Sequence, residues 1–170
     1  NLTAFATPPM QAALKALGRA IDVAVEDAGR MGESVGRMAA LGFPPSYLAG
    51  SLIEAPFDFM SDTLRGMRGI MLDMLRRPDK LLAAEELVLH YQLEYALNFA
   101  KATGLTNCFI PLHRGSDGFM SLPQFEKFYW PQLKKMMLAL IDNGIYPIPY
   151  YEGIWDQRLH YLAELPKGKS

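Results

Sequence analysis

Two short apolar runs lie between longer helical patterns in the second half of the chain, and this alternation is the strongest constraint on the fold. The runs span Asn107 to Leu112 and residues 145–150. Helices that alternate with short buried strands predict parallel strands joined by crossover helices. The sequence therefore predicts a helix-rich α/β fold, with a (β/α) barrel of the TIM type, or part of one, as the leading interpretation. A doubly wound sheet is the alternative, but no GxGxxG or P-loop motif follows either run.

Helical spacing of apolar residues predicts the elements around these strands. Helices are expected over about 61–76, 78–103, 121–143 and 156–165. Pro78 and Gly104 bound the second helix, because the residue before a proline avoids helical geometry and glycine suits the position after a helix end. Ser121 and Gln124 form a capping box at the start of the third helix, and Pro131 is expected to bend it.

Residues 1–49 are predicted to form a separate helical segment. An amphipathic helix is expected at the start, and glycines from Gly29 onward loosen its pattern, so a second helix is expected to reach Met38. The stretch GFPP at 42–45 breaks the helical pattern, and residues 47–57 suit a short strand or an irregular segment. The predicted division is thus a helical segment over 1–49 and a partial barrel over 50–170.

Composition excludes several classes of protein. The chain has 170 residues and is 50% apolar, which suffices for one globular domain of the usual length, about 100–200 residues. A net charge of −1 gives no electrostatic basis for binding nucleic acid or an anionic membrane. Cys108 is the only cysteine, so a disulfide framework and a CxxC zinc site are excluded. We therefore expect a cytoplasmic protein that contacts neither nucleic acid nor membrane.

The two ends of the chain suggest a larger parent fold. The sequence starts at Asn1 and stops at Ser170, shortly after a helical pattern ends. In an α/β protein, the next strand is expected at that point. A fragment of a longer chain is the interpretation that these ends favour.

The loop after the first predicted strand is one candidate site, because active sites of barrels lie at the C-terminal ends of the strands. It carries His113, Arg114, Ser116 and Asp117, and the glycines at 115 and 118 let the backbone approach a ligand because they have no side chain. Polar groups of this kind can bind a substrate or transfer protons. A solvated loop with no such role is the alternative.

The end of the second predicted strand is the next candidate. Tyr150, Tyr151 and Glu152 precede Gly153 where an apolar run emerges. A carboxylate at a buried strand end can be desolvated, which raises its pKa into the range that proton transfer requires, and it can also bind a metal. The alternative for Glu152 is an ion pair with a neighbouring arginine or the acceptance of hydrogen bonds from backbone N–H groups.

A third candidate lies between residues 58 and 68. Asp58 and Asp62 are four positions apart and share a helix face if the helix begins early. Arg65 and Arg68 could bind carboxylate or phosphate groups through two hydrogen bonds. The alternative for Asp62 and Arg65 is an ordinary ion pair three positions apart on a helix.

Three stretches carry a resemblance to a known family. They read GSLIEAPFDFMSDTLRG (50–66), GSDGFMSLPQFEKFYWPQLKKM (115–136) and PIPYYEGIWDQRLHYLAELPKGK (147–169). In this order they resemble the uroporphyrinogen decarboxylase superfamily, which includes the cobalamin (corrinoid)-dependent methyltransferases. The second stretch is the most specific of the three. The resemblance implies a (β/α)8 barrel of which residues 50–170 form about half.

The two branches of the superfamily imply different roles for the same positions. In the methyltransferase branch, the His and Cys of an H-x-C-G motif bind zinc, and the matching positions here are Tyr150 and Glu152. In the decarboxylase branch, residues that contact the carboxylates of the tetrapyrrole match Asp62 and, approximately, Gly115 with Ser116 beside it. An aspartate at position 62 would repel a substrate with many carboxylates.

The resemblance and the strand-end residues together predict a methyltransferase-like enzyme that acts on a small molecule with a corrinoid partner protein and zinc. The first alternative is uroporphyrinogen decarboxylase, which removes carboxyl groups from tetrapyrrole side chains in porphyrin biosynthesis. The second is an inactive truncated half-barrel that self-associates into a homo-oligomer. The expected catalytic residues are Glu152, Asp117, Ser116 and His113, with Glu152 as the metal ligand. The expected substrate contacts are Asp62, Tyr150 and Arg65.

Overall fold

A computed structural model of the chain describes residues 2–43 and 50–169. The chain divides into two compact units, Asn1–Pro45 and Ser46–Ser170. The predicted segment 47–57 lies partly outside the described residues. None of the described helices combines the length and the apolar character that crossing a bilayer requires.

The first unit consists of a short 3-10 helix, Leu2–Ala6, and a 33-residue helix α1, Pro8–Ala40. The expectation of two helices in this region is wrong, because α1 is continuous through Gly29. A glycine inside a helix costs only about 1 kcal/mol relative to alanine, which weakens a helix without ending it. The helix ends just before Gly42, whose φ of 87° is a left-handed conformation.

Three parallel strands form the sheet of the second unit: β1, Ser51–Leu52; β2, Asn107–Leu112; and β3, Tyr146–Tyr151. They lie in the order β1-β2-β3, and β2 pairs with both neighbours. The predicted strand 107–112 and the predicted parallel, helix-rich α/β class are confirmed. The predicted strand 145–150 begins one residue later, because the Ile145 N–H donates to the Leu140 carbonyl (2.9 Å) and closes the preceding helix.

Between β1 and β2 the chain forms α2, Pro56–Phe59, a π turn, Met60–Arg65, then α3, Gly66–Arg76, and α4, Pro78–Thr103. The helix expected at 61–76 thus starts earlier and is interrupted. The ends of α4 are confirmed, since Gly104 has a left-handed φ of 73° and donates its N–H to the Ala100 carbonyl. After β3 the chain forms a 3-10 helix, Leu159–Glu164, where an α-helix was predicted.

Between β2 and β3 lie α5, Leu122–Gln124, a π turn, Phe125–Tyr129, and α6, Trp130–Asp142. The Gln124 side chain accepts the Ser121 N–H (2.9 Å), as the capping box predicts. The irregularity expected around Pro131 takes the form of the π turn just before α6. A widened turn accommodates a proline that cannot donate to the helix ladder.

The helices cover one face of the sheet. On that face β2 buries Cys108, Ile110 and Leu112, each with 0% exposure. The two crossover helices α4 and α6 are neighbours there, since Glu86 of α4 accepts hydrogen bonds from Gln132 (3.0 Å) and Lys135 (2.8 Å) of α6. Right-handed crossovers between strands in sequential order place their helices on the same side, so this sheet is singly wound.

The opposite face of the sheet is apolar and open. It carries Leu52, Phe109, Ile148 and Tyr150, of which Leu52 is 54% and Tyr150 53% exposed. The Phe109 and Tyr150 rings contact each other with centroids 5.8 Å apart. Among the described residues, β1 and β3 each pair along one edge only.

Candidate functional site

The C-terminal ends of the strands bring together residues from three distant parts of the sequence. Glu54 follows β1, His113 follows β2 and Glu152 follows β3. Extending the register Leu112↔Tyr151 by one residue places Glu152 opposite His113. The Glu152 N–H donates to the Leu112 carbonyl at 3.3 Å, which continues the pairing beyond β3. The alternation of side chains places His113 and Glu152 on the open face of the sheet.

The His113 imidazole lies between two carboxylates. Its Nδ1 is 2.7 Å from Asp62 Oδ2, and its Nε2 is 3.8 Å from Glu152 Oε2. Burial alone would lower the pKa of His113, but the hydrogen bond to Asp62 and the charges of Asp58 and Glu152 outweigh it and raise the pKa. The imidazole is therefore held in one orientation, with Nδ1 bonded to Asp62 and Nε2 facing Glu152.

Asp62 lies on the π turn after α2 and accepts hydrogen bonds from three side chains. Besides His113, the donors are Arg114 Nη2 (2.6 Å) and Ser61 Oγ (2.9 Å). Partial burial raises the pKa of Asp62, yet the bonds from His113, Ser61 and Arg114 together bring it below the usual value. Asp62 therefore remains ionised at neutral pH and is shared as a charge partner by Arg114 and His113. The ion pair considered between Asp62 and Arg65 is replaced by these contacts.

Asp58 holds the backbone of the strand end in place. It has 0% exposure, and it accepts the N–H groups of His113 (3.0 Å) and Arg114 (2.9 Å) and the Tyr129 hydroxyl (2.5 Å). Burial raises the pKa of Asp58 to about 6, although all three hydrogen bonds act to lower it. The catalytic and substrate residues expected from the sequence did not include Asp58. Its spacing of four residues from Asp62 was the available signal, because both side chains face the same strand end.

Gly115 lets the aromatic layer approach this backbone. A Cβ at this position would lie 2.2 Å from the Trp155 ring and 2.5 Å from the Tyr129 ring. Burial raises the pKa of Tyr129 well above its ordinary value, and the charge of Asp58 adds to the effect, so the phenol stays protonated and donates to Asp58. The glycine predicted to bring the backbone near a ligand instead brings it against these two rings.

Asp117 and Ser116 lie in the same loop but serve the segment after β3. The Asp117 N–H donates to the Ile154 carbonyl (2.7 Å), and its carboxylate accepts the Gln157 N–H (3.1 Å) and lies 3.4 Å from Arg158 Nε. Ser116 packs beside Gly153, where an added Cβ would lie 3.4 Å from the serine Cβ. These contacts fasten the two loops together, which is a structural role for both residues.

Two other predicted site residues have contacts outside this group. Arg65 binds Asp73 through two hydrogen bonds, of 2.6 and 3.1 Å, on the surface of α3. The Tyr150 ring lies against Phe109 on the open face of the sheet. The strand-end cluster is therefore defined as Glu54, Asp58, Asp62, His113, Arg114, Tyr129 and Glu152.

Zinc does not fit the side chains present at this strand end. His113 Nδ1 is hydrogen-bonded to Asp62 and is therefore not available to a metal. The groups beside it that could bind a metal are His113 Nε2 and the Glu152 carboxylate. In the part of the chain that the structure describes, no three His, Cys, Asp or Glu side chains are grouped to hold a metal ion. A protein zinc site needs three or four such ligands. No chemical step is therefore assigned to a metal at this position.

The cluster can transfer protons. A partly exposed histidine with one nitrogen hydrogen-bonded to a carboxylate is a common arrangement of a general acid or base. The charges of Asp62 and Glu152 favour the protonated ring, which suits the role of acid.

No protein-family model matches this chain, and neither a curated protein nor a solved structure matches it.

Proposed function

We propose that the strand-end cluster is the proton-transfer site of a barrel enzyme in which His113 is the catalytic acid and base. The observation that carries this proposal is the position of the imidazole, with Nδ1 at 2.7 Å from Asp62 and Nε2 facing Glu152 at 3.8 Å. Asp58 and Asp62 are positioning residues. Asp58 holds the backbone that carries the imidazole, and Asp62 orients the ring.

The sheet supports a barrel as the parent fold. Its strands are parallel and in sequential order, its helices lie on one face, and the opposite face is apolar. A singly wound sheet buries its second face when it closes into a barrel, and the catalytic groups then gather at the C-terminal strand ends. Residues 50–170 are accordingly proposed as about half of a (β/α)8 barrel of the uroporphyrinogen decarboxylase type.

The reaction proposed is methyl transfer from a small methylated donor to a corrinoid carried by a partner protein. When the bond between the methyl group and its donor atom breaks, the donor atom gains an electron pair and needs a proton. His113 supplies that proton from Nε2. The charge balance of the site favours this reaction over tetrapyrrole decarboxylation, since Glu54, Asp62 and Glu152 outnumber His113 and Arg114 and disfavour a polycarboxylate. The buried free thiol of Cys108 is consistent with the proposed cytoplasmic setting.

The test compares two activities on the same full chain. Methyl transfer to reduced cobalamin from methylated thiols, amines and alcohols is assayed beside decarboxylation of uroporphyrinogen. We expect methyl transfer, and we expect His113→Gln to lower it by about 10²–10⁴-fold, the usual contribution of a general acid. The control is His90→Gln, an exposed histidine on α4. Decarboxylation without methyl transfer would replace the proposed reaction, and full activity of His113→Gln would exclude the proposed acid.

Self-association is the second candidate, because the open face carries exposed apolar side chains beside two strand edges. Unpaired edges of this kind favour pairing with another chain. Light scattering should then show a homo-oligomer, and Leu52→Lys on the open face should shift it toward monomer. A monomer at all concentrations would exclude this candidate and leave the site proposal intact.

A further inference from the structure

A pocket lies beside β1 and shares Glu54 with the strand-end cluster. Its volume is about 220 Å³, and it lies between the end of β1, the π turn after α2, and α4. This volume is below the roughly 300–1,000 Å³ of pockets for drug-sized ligands, so only a small ligand fits. Its walls consist of Leu52, Ile53, Glu54, Phe59, Thr63, Tyr91, Gln92 and Tyr95.

Three of the walls are aromatic rings. Phe59 and Tyr91 lie with centroids 5.9 Å apart and planes inclined at 45°, so they meet at an angle. Tyr95 lies one helical turn after Tyr91 on α4 and lines the same pocket. Tyr91 is 60% and Tyr95 48% exposed, although large aromatic side chains usually lose most of their exposure on folding. The face of an aromatic ring carries partial negative charge and attracts cations.

Glu54 is the one acidic residue among the described residues that line the pocket. Glu54 Oε2 is shielded from solvent, and among the described residues it has no hydrogen-bond partner. Burial raises the pKa of Glu54, and the nearby charge of Asp62 raises it further, while His113 partly opposes this. No lysine or arginine is among the described residues that line the pocket. An incoming cation would supply an opposite charge beside this carboxylate.

We propose that this pocket binds a small organic cation with a methylated ammonium head group, held between the rings of Phe59, Tyr91 and Tyr95 and paired with Glu54. A methylated ammonium carries its charge on a surface of methyl groups, which suits aromatic walls better than a strongly hydrated ammonium does. With Glu54 in its wall and no lysine or arginine among its described lining residues, the pocket disfavours an anion. This assignment concerns binding and does not depend on the reaction proposed for His113.

The test is a binding titration of the full chain with tetramethylammonium at low salt, followed by NMR or calorimetry. We expect saturable binding in the millimolar range and at least about tenfold weaker binding of tert-butyl alcohol, a neutral molecule of similar size. Glu54→Gln should weaken binding of the cation by about tenfold. Tyr91→Leu should weaken it about threefold, and because Tyr91 is exposed this variant should remain folded.

The matched control is Glu94→Gln, which removes an exposed carboxylate from the same helix outside the pocket. It should bind tetramethylammonium like the unaltered chain. The proposal is overturned if the cation does not bind, if the alcohol binds equally well, or if Glu94→Gln weakens binding as much as Glu54→Gln. If tetramethylammonium binds but the chain transfers no methyl group, this inference stands and the proposed reaction is rejected. If the chain transfers methyl groups but does not bind tetramethylammonium, the proposed reaction stands and this inference is rejected.

Discussion

Asp58 and Glu85 are two carboxylates with 0% exposure that differ in their hydrogen-bond partners. Asp58 accepts three hydrogen bonds at the strand end, from two backbone N–H groups and a phenol. Glu85, in the N-terminal third of α4, has no hydrogen-bond partner for either oxygen among the described residues. Burial raises the pKa of Asp58 to about 6 and that of Glu85 to about 9. Donors aimed at a carboxylate thus preserve much of its charge where burial alone would remove it.

The largest effect is expected from removing the satisfied carboxylate. Asp58→Ala leaves two backbone N–H groups and the Tyr129 hydroxyl buried without their acceptor. We expect a loss of roughly 3 kcal/mol or more in the free energy of unfolding, because each orphaned buried donor costs about 1 kcal/mol or more. Urea denaturation measures it. Asp156→Ala, at an exposed aspartate, is the control and should change stability little; equal losses in both variants would contradict the role given to Asp58.

A gain in stability, rather than a loss, is expected when Glu85 is replaced. Glu85→Met replaces it with an apolar side chain of similar length that favours helix, and we expect a gain of about 1–3 kcal/mol at neutral pH.

The gain should depend on pH. The folded pKa of about 9 lies above the ordinary value of 4.5, so the native state binds the extra proton between these values. Stability of the unaltered chain therefore falls as pH rises through this window, and the advantage of Glu85→Met should widen. Glu94→Met is the control on the same helix. A gain that is independent of pH, or a loss, would show that Glu85 has a partner when folded.

A smaller effect, confined to one side chain, is expected at the exposed end of the cluster. Asp62→Asn removes the charge that helps to raise the pKa of His113, so this pKa should fall toward the ordinary value. NMR titration of the imidazole measures it directly. Asp142→Asn, at the exposed end of α6, should leave the His113 pKa unchanged. An unchanged value in Asp62→Asn would mean that the other carboxylates set the pKa.

The smallest effect is expected for Arg65→Ala. Its guanidinium pairs with Asp73 at the surface, and water replaces such contacts readily. Thermal unfolding should show little or no change. A loss of stability comparable to that of Asp58→Ala would contradict this comparison. It would mean that the number and burial of the donors around a carboxylate do not decide how much the carboxylate contributes to stability.

Local patterns predicted much of the second unit. The alternating apolar runs indicated β2 and, within one residue, β3, and Pro78 and Gly104 marked the ends of α4. These features depend on neighbours in the sequence, since proline and glycine restrict or permit backbone angles wherever they occur.

The apolar side chains of α3 do not all face the core. Helical spacing puts Met67, Met71 and Leu75 on one face, yet they are 45%, 45% and 74% exposed, whereas Ile70 and Met74 are buried. Gly66, with φ of 68°, interrupts the helix and changes the direction in which later residues point. An apolar pattern gives a face relative to the helix axis, and the rotation of that axis depends on what it packs against.

The candidate site was predicted in part. His113, Asp62 and Glu152 were named from strand-end positions, and the structure brings them together. Asp117 was named for the same reason but fastens the loop to residues after β3. Sequence position shows that a residue leaves a strand end, and it does not show toward which neighbour the side chain turns.

The sequence was sufficient for the class of fold, the ends of α4 and the edge of the sheet where polar groups gather, because those features follow from local backbone preferences and apolar periodicity. The pairing of Asp58 with the backbone at His113, 55 residues away, required the folded chain. The folded chain was also required to show that Glu85 has no hydrogen-bond partner among the described residues, whereas its neighbour Glu86 accepts hydrogen bonds from α6. Hydrogen-bond partners and desolvation are set by atoms distant in sequence, and these atoms decide which carboxylates keep their charge.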